Sequence, residues 1–173
     1  GLVGFALGSE TLGSIISPSV RCGATALRPT FGRVSRDRCM PLCWSLDKIG
    51  PIARSMEDCA LIFNAIHGGD GRDSTAGSYP FQWPSKRSLE NLKVGYAKRR
   101  NAPDSERKDL MILKSMGCDL VELSLPRSLP FSAMFSIIDV EASTVFDTMI
   151  RENDMQGFNL WEKSFRAAQY VSA

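Results

Sequence analysis

Hydrophobic and polar positions divide the chain into segments of different period. Val3 to Leu7 is a short apolar run, which predicts a buried strand in the opening Gly-Leu-Val-Gly-Phe-Ala-Leu-Gly. Ala24-Thr25-Ala26-Leu27 predicts a short strand ended by Pro29, and Trp44 to Ala53 a loop and strand. Cys59, Ile62, Phe63 and Ile66 recur at i, i+3, i+4 and i+7, so Met56 to His67 reads as an amphipathic helix. Ser55 is its N-cap, Glu57 and Asp58 sit in its first turn, and Gly68-Gly69 stops it. Asp70 to Ser88 is a Gly/Pro-punctuated loop with aromatic anchors Tyr79, Phe81 and Trp83.

Beyond the loop, Leu92, Val94 and Tyr96 alternate as a strand. Ser105 to Met116 carries Leu110, Leu113 and Met116 at helical spacing and ends at Gly117, and Leu120 to Leu123 forms another strand. This β-α-β unit implies parallel pairing with a right-handed crossover. Phe131 to Ile150 predicts one long helix with Phe135, Ile138, Ala142, Val145 and Met149 on its buried face, and Leu160 to Val171 a final helix using Leu160, Trp161, Phe165 and Ala168. The fold class is therefore α/β, a mixed sheet flanked by helices.

Composition narrows the function classes. With 173 residues, 43% of them hydrophobic, the chain has material for a globular core or a large part of one. A formal charge of +2 argues for neither nucleic acid nor an anionic membrane as a direct partner. No run approaches the roughly 20 apolar residues that span a bilayer. The basic stretch Arg33 to Leu42, with Arg33, Arg36 and Arg38, lacks the aromatic interleaving of a nucleic-acid surface and reads as a solvated loop. The five cysteines, Cys22, Cys39, Cys43, Cys59 and Cys118, are odd in number and irregular in spacing, so the expectation is reduced thiols in a reducing intracellular compartment. Cys39 and Cys43 have no second pair to complete a zinc site, so no metal or cofactor is expected.

The candidate chemistry lies in Gly8-Ser9-Glu10-Thr11-Leu12-Gly13-Ser14-Ile15. Read by itself, this small, hydroxyl-rich segment is either a tight connection from a strand to a helical turn after Pro18, or a nucleophile loop. In the second reading Ser14 presents its hydroxyl and the consecutive N–H groups of Leu12, Gly13 and Ser14 converge on an oxyanion. Ser14-Ile15 after Gly13 fails the Walker phosphate pattern, and Ile15-Ile16 fails the G-x-S-x-G elbow. His67, the only histidine, assembles no Ser-His-Asp set.

The segment, continued through Pro18, Arg21-Cys22-Gly23, Leu27-Arg28-Pro29-Thr30-Phe31-Gly32-Arg33-Val34-Ser35 and Ser45-Leu46-Asp47-Lys48-Ile49-Gly50-Pro51-Ile52-Ala53-Arg54-Ser55, closely resembles the amidase signature family. That family includes amide hydrolases and the A subunit of aminoacyl-tRNA amidotransferases. The ordered match runs from about Gly4 to Asp73. The resemblance implies a Ser-Ser-Lys site acting through an acyl-serine, with Ser14 as nucleophile and the backbone N–H groups of Thr11, Leu12 and Gly13 in the oxyanion hole. It also implies a large mixed sheet covered by helices, of which this chain holds the middle portion.

Where many members carry Asp-x-Gly-Gly-Ser-Ile-Arg, this chain has Glu10, Leu12 and Ile16. Leu12 keeps its N–H but narrows the approach, and Ile16 removes a cation near the serine. The family's lysine base and bridging serine lie upstream of the loop, so the start reads as truncated, and the last predicted helix reaches the C-terminus with no stop signal, so the end reads as cut too. Three expectations follow: a small-molecule amide hydrolase, an amidotransferase A subunit with other subunits as partners, or a catalytically empty chain acting as a binding module. The expected organisation is a signature core over residues 1–73, a loop over 74–91, and the β-α-β unit with following helices over 92–173. Asp47 and Lys48 are expected to pair with backbone or each other, and Glu141 to be a rim residue.

Overall fold

The structure, a computed structural model, describes residues 2–97, 107–124, 126, 130, 133–158 and 160–171. It divides into two compact units, Gly1–Trp83 with Phe131–Ala173, and Pro84–Pro130.

In the first unit β1 (Ala6–Glu10), β2 (Thr25–Ala26) and β3 (Lys48–Ala53) form an antiparallel sheet in the order β1-β3-β2. The strand expected over Val3 to Leu7 begins later, at Ala6, and lies at an edge of this sheet with Leu7 half exposed; β3 holds the centre. Gly8 pairs with Gly50 across the β1–β3 ladder. A Cβ on Gly50 would collide with the Leu27 carbonyl and the Pro29 ring, so only glycine lets these backbones meet.

The first helix, α1 (Ile16–Cys22), starts before Pro18 rather than after it. A proline this early in a helix loses only an N–H that has little to bond, and here it leaves the Ser14 carbonyl without a donor from the next turn. Gly23, at φ 63°, ends the helix in the left-handed conformation that favours glycine. The second helix, α2 (Met56–Ile66), follows the sequence expectation: Ser55 Oγ accepts from the Asp58 N–H, and Cys59 and Phe63 are buried. Of the anchors in the loop that follows, Phe81 meets Phe63 edge-on at 4.8 Å between centroids, while Tyr79 and Trp83 stay substantially exposed.

The single helix expected over Phe131 to Ile150 is two among the described residues, α4 (Ala133–Val145) and α5 (Asp147–Arg151); Phe131 lies outside them. The bend at Phe146 turns its ring into a cluster with Phe158 at 4.8 Å and Phe165 at 5.9 Å. The buried stripe is consequently Ile138, Ala142, Phe146 and Ile150, whereas Phe135 is largely exposed. The closing helix α6 (Trp161–Ala168) is shorter than the periodicity suggests and buries Phe165 and Ala168, leaving Leu160 and Trp161 outward.

In the second unit, β4 (Lys93–Ala97), α3 (Lys108–Ser115) and β5 (Asp119–Leu123) form the expected β-α-β unit, with β4 and β5 parallel. The expected helix start at Ser105 lies outside the described residues. The fold class is mixed α/β, as read from the sequence.

Candidate active site

The loop that follows β1 turns directly into α1, and Glu10 makes the turn. Its side chain is 1% exposed, and Oε2 accepts from the Ile15 N–H at 2.9 Å and the Ile16 N–H at 3.1 Å. The carboxylate thus satisfies the helix-start amides that Ile15, as N-cap residue, cannot cap itself. Arg28 Nη1 lies 3.3 Å from Glu10 Oε1. Burial alone would push this carboxyl up, but the Ile16 and Ile15 amides and the Arg28 guanidinium outweigh it and hold it below the ordinary glutamate value. Ile15 itself is fully buried, its side chain against the Gly8–Gly50 crossing. Ser14 is therefore bracketed by a fixed carboxylate on one side and a buried anchor on the other.

Ser14 is exposed and lines a cleft of about 580 Å³ together with Thr11, Leu12, Gly13, Arg21, Leu42, Phe135, Ile138, Asp139 and Trp161. Among the described residues its hydroxyl makes no hydrogen bond, and the N–H groups of Thr11, Leu12, Gly13 and Ser14 donate to no protein acceptor. All four candidate residues thus come together on one cleft wall. Leu12 projects its half-exposed side chain into the same space. Ile16 instead lines a neighbouring depression with Glu10 and Arg28. Arg21 stands among the residues that line the Ser14 cleft.

The other end of the loop is tied to the segment before β3. Thr11 Oγ1 donates to Asp47 Oδ1 at 2.6 Å, and Lys48 Nζ donates to the Thr11 carbonyl at 3.0 Å. The second Asp47 oxygen accepts from the Leu42 and Cys43 N–H groups at 2.8 and 3.0 Å. Asp47 and Lys48 do pair with backbone, as the sequence reading expects, but that reading missed that both converge on Thr11. Burial, then the nearby Arg28 guanidinium, lowers the Lys48 ammonium below its ordinary value. Glu141, expected at the rim, accepts from the Ser45 N–H at 3.0 Å and from Ser45 Oγ, joining α4 to the same turn.

The residues outside the cleft have structural partners. The stretch Arg33 to Leu42 is not simply solvated: Arg36 donates to Asp73 Oδ2 at 3.1 Å, to Thr75 Oγ1 at 2.7 Å and to the Trp44 carbonyl, and stacks over Phe31. His67 packs against Phe63 and Phe81 and does not line the Ser14 cleft. All five cysteines are free. Among the described residues no group of three or more His, Cys, Asp or Glu is placed to hold a metal, and no helix is long and apolar enough to cross a membrane.

Residues 1–171 match the Amidase family. The chain is 40% identical over 143 residues to the A subunit of the glutamyl-tRNA(Gln) amidotransferase of Akkermansia muciniphila, covering 77% of this chain and 30% of that protein. The solved peptide amidase of Stenotrophomonas maltophilia superposes with a TM-score of 0.78 at 25% identity, over 99% of this chain and 42% of the other. The A subunit of the glutamyl-tRNA(Gln) amidotransferase of Thermotoga maritima superposes with a TM-score of 0.72 at 28% identity, over 95% and 40%. The chain thus spans about a third of the length of these relatives, and it belongs to the Amidase family.

Proposed function

We propose that the protein carrying this chain cleaves amide C–N bonds through an acyl-serine formed on Ser14. The observation that carries the reading is the exposed Ser14 hydroxyl, without a hydrogen bond among the described residues, beside four backbone N–H groups that no acceptor among those residues uses. In the proposed reaction the Ser14 oxygen attacks the amide carbonyl carbon while a base takes its proton. The carbonyl π electrons move onto oxygen, where the amides of Thr11, Leu12 and Gly13 stabilise the negative charge. Collapse of the tetrahedral species breaks the C–N bond, the leaving nitrogen takes a proton, and water then releases the acid from the acyl-serine. A serine hydroxyl needs such a base. In the Ser-Ser-Lys arrangement implied by the family, a lysine and a bridging serine from before the loop fill that role. No lysine precedes Ser14 in this chain, so the chain by itself is proposed to turn over no amide.

The test is intact-mass analysis of the complete protein after treatment with a serine-reactive fluorophosphonate, compared with its Ser14→Ala variant. A single adduct on the parent protein and none on the variant is the expected result; equal labelling of both removes the assignment. The 40% identical amidotransferase relative also favours a second reading, in which the released ammonia is passed to a tRNA-linked acyl group within a complex. Co-purification with further subunits, and glutamine hydrolysis that depends on them, separates this reading from a free-standing amidase.

A further inference from the structure

Thr11 is gripped twice, and both grips come from adjacent residues at the start of β3. Its hydroxyl donates to Asp47 at 2.6 Å, and its carbonyl accepts from Lys48 Nζ at 3.0 Å. A trans peptide is planar, so its C=O and the following N–H point in opposite directions. The Lys48 ammonium that fixes where the Thr11 carbonyl points therefore also fixes the Leu12 N–H, aimed the other way. Asp47 holds the Thr11 side chain and is itself held: it is 8% exposed, and its second oxygen is occupied by the Leu42 and Cys43 amides. Leu42 lines the Ser14 cleft, so one carboxylate ties two walls of that cleft together.

From this geometry we infer that Asp47 and Lys48 are positioning residues that clamp Thr11 and so aim the Leu12 N–H at the oxyanion. The inference rests on the reading of Ser14 as nucleophile. Neither side chain touches the reacting atoms; each acts through the Thr11–Leu12 peptide. An oxyanion donor contributes through preorganised direction, so a loosened clamp slows bond formation more than it weakens initial binding.

The experiment measures fluorophosphonate labelling of the complete protein, separating the maximal rate kinact from the half-saturating concentration KI. In the labelling step the Ser14 oxygen forms a bond to phosphorus, fluoride leaves, and the serine proton passes to the base. The phosphoryl oxygen samples the same N–H donors as an amide oxyanion. Thr11→Val keeps the shape and removes the bond to Asp47; Thr11→Ser keeps the hydroxyl. The expected result is a fall in kinact of about 10-fold for Thr11→Val, with KI within about 2-fold, recovery in Thr11→Ser, and a similar fall in Lys48→Met. Melting curves of each variant report loss of fold separately. Labelling of Thr11→Val at the parent rate overturns the clamp and leaves the Ser14 assignment intact. Complete loss in Lys48→Met with Thr11→Val unaffected also overturns it, because that pattern belongs to a lost base. A parent protein whose adduct survives Ser14→Ala removes the function reading, and the clamp with it.

Discussion

The Glu10 carboxylate and the Ile15 amide lie 2.9 Å apart across the turn that presents Ser14, with the acid almost wholly withdrawn from solvent. The contact closes the loop on itself, so the direction of the Ser14 side chain is tied to the sheet through β1 and to the helix through Ile15. In the turn it makes, the glutamate is therefore a structural part of the candidate site rather than a variation at its edge.

Glu10→Gln keeps one acceptor oxygen for the Ile15 and Ile16 N–H groups but turns an NH₂ toward the Arg28 guanidinium and removes the negative charge. Hydrogen bonds to a charged group contribute about 1.5–3 kcal/mol against about 1 kcal/mol for neutral ones, so urea unfolding should show a loss of about 1–2 kcal/mol at pH 7. The pH dependence has a definite sign. The folded carboxyl sits below its ordinary value of 4.5, so its contribution is complete above that value and fades as pH falls through the folded one. The stability gap between the parent chain and Glu10→Gln should therefore narrow on acidification from pH 7 to pH 3. A gap that widens instead would contradict the ion-pair and amide account.

At Gly50 the constraint is steric. An added Cβ would run into the Leu27 carbonyl and the Pro29 ring and press on Ile15. Backbone cannot withdraw as a long side chain can, so Gly50→Ala should cost as much as overpacking a core, about 1–3 kcal/mol or more. It should also slow fluorophosphonate labelling of the complete protein, because Ile15 adjoins Ser14 in sequence. Gly13→Ala is the control for stability, since a Cβ there meets nothing within 4 Å. Equal melting midpoints for the two variants would exclude the packing argument.

Much of this was legible from residue order. Period-3.6 spacing and the Ser55 cap located α2, and alternation around a helical segment located the β4-α3-β5 unit, because in these places local pattern and tertiary burial agree. Family resemblance picked out the loop around Ser14. Three things escaped for physical reasons. The apolar run from Val3 to Leu7 reads as buried, yet among the described residues β1 pairs only with β3, and Val3, Phe5 and Leu7 face solvent. The one helix expected over 131–150 is broken at Phe146, whose ring packs against Phe158 and Phe165, partners that no pattern local to that stretch reports. The convergence of Asp47 and Lys48 on Thr11 spans 36 and 37 positions, and no local period reports it.

The thiols offer a chemical test of burial. Burial, then the hydrogen bond to Glu141, pushes the Cys43 thiol up to about 11, and burial likewise raises Cys59. Thiolate is the species that alkylates, so both should be slow at pH 8. Cys22 and Cys39 are exposed and should react first. Peptide mass mapping after brief iodoacetamide treatment should show modification at 22 and 39 before 43 and 59. Early modification of Cys43 would mean that the turn holding Asp47 is open in solution.

Phe165 offers a test of how far the cleft depends on the aromatic cluster behind it. Its ring is 2% exposed, stacks at 5.9 Å on Phe146 and meets Phe158 at 6.1 Å, so it joins α6 to the bend between α4 and α5. Ile138 and Asp139 of α4 and Trp161 of α6 line the same cleft as Ser14. Truncation to alanine should cost about 3–5 kcal/mol in urea unfolding, the range for a buried aromatic ring, with Phe165→Leu costing less because more of the volume is filled. Labelling kinetics of the complete protein should separate this lining from the amide loop. Phe165→Ala should raise KI while leaving kinact near the parent value, since the loop over Thr11 to Ser14 is held by Glu10, Asp47 and Lys48 rather than by α6. A fall in kinact with unchanged KI would mean instead that α6 supports the reacting groups directly.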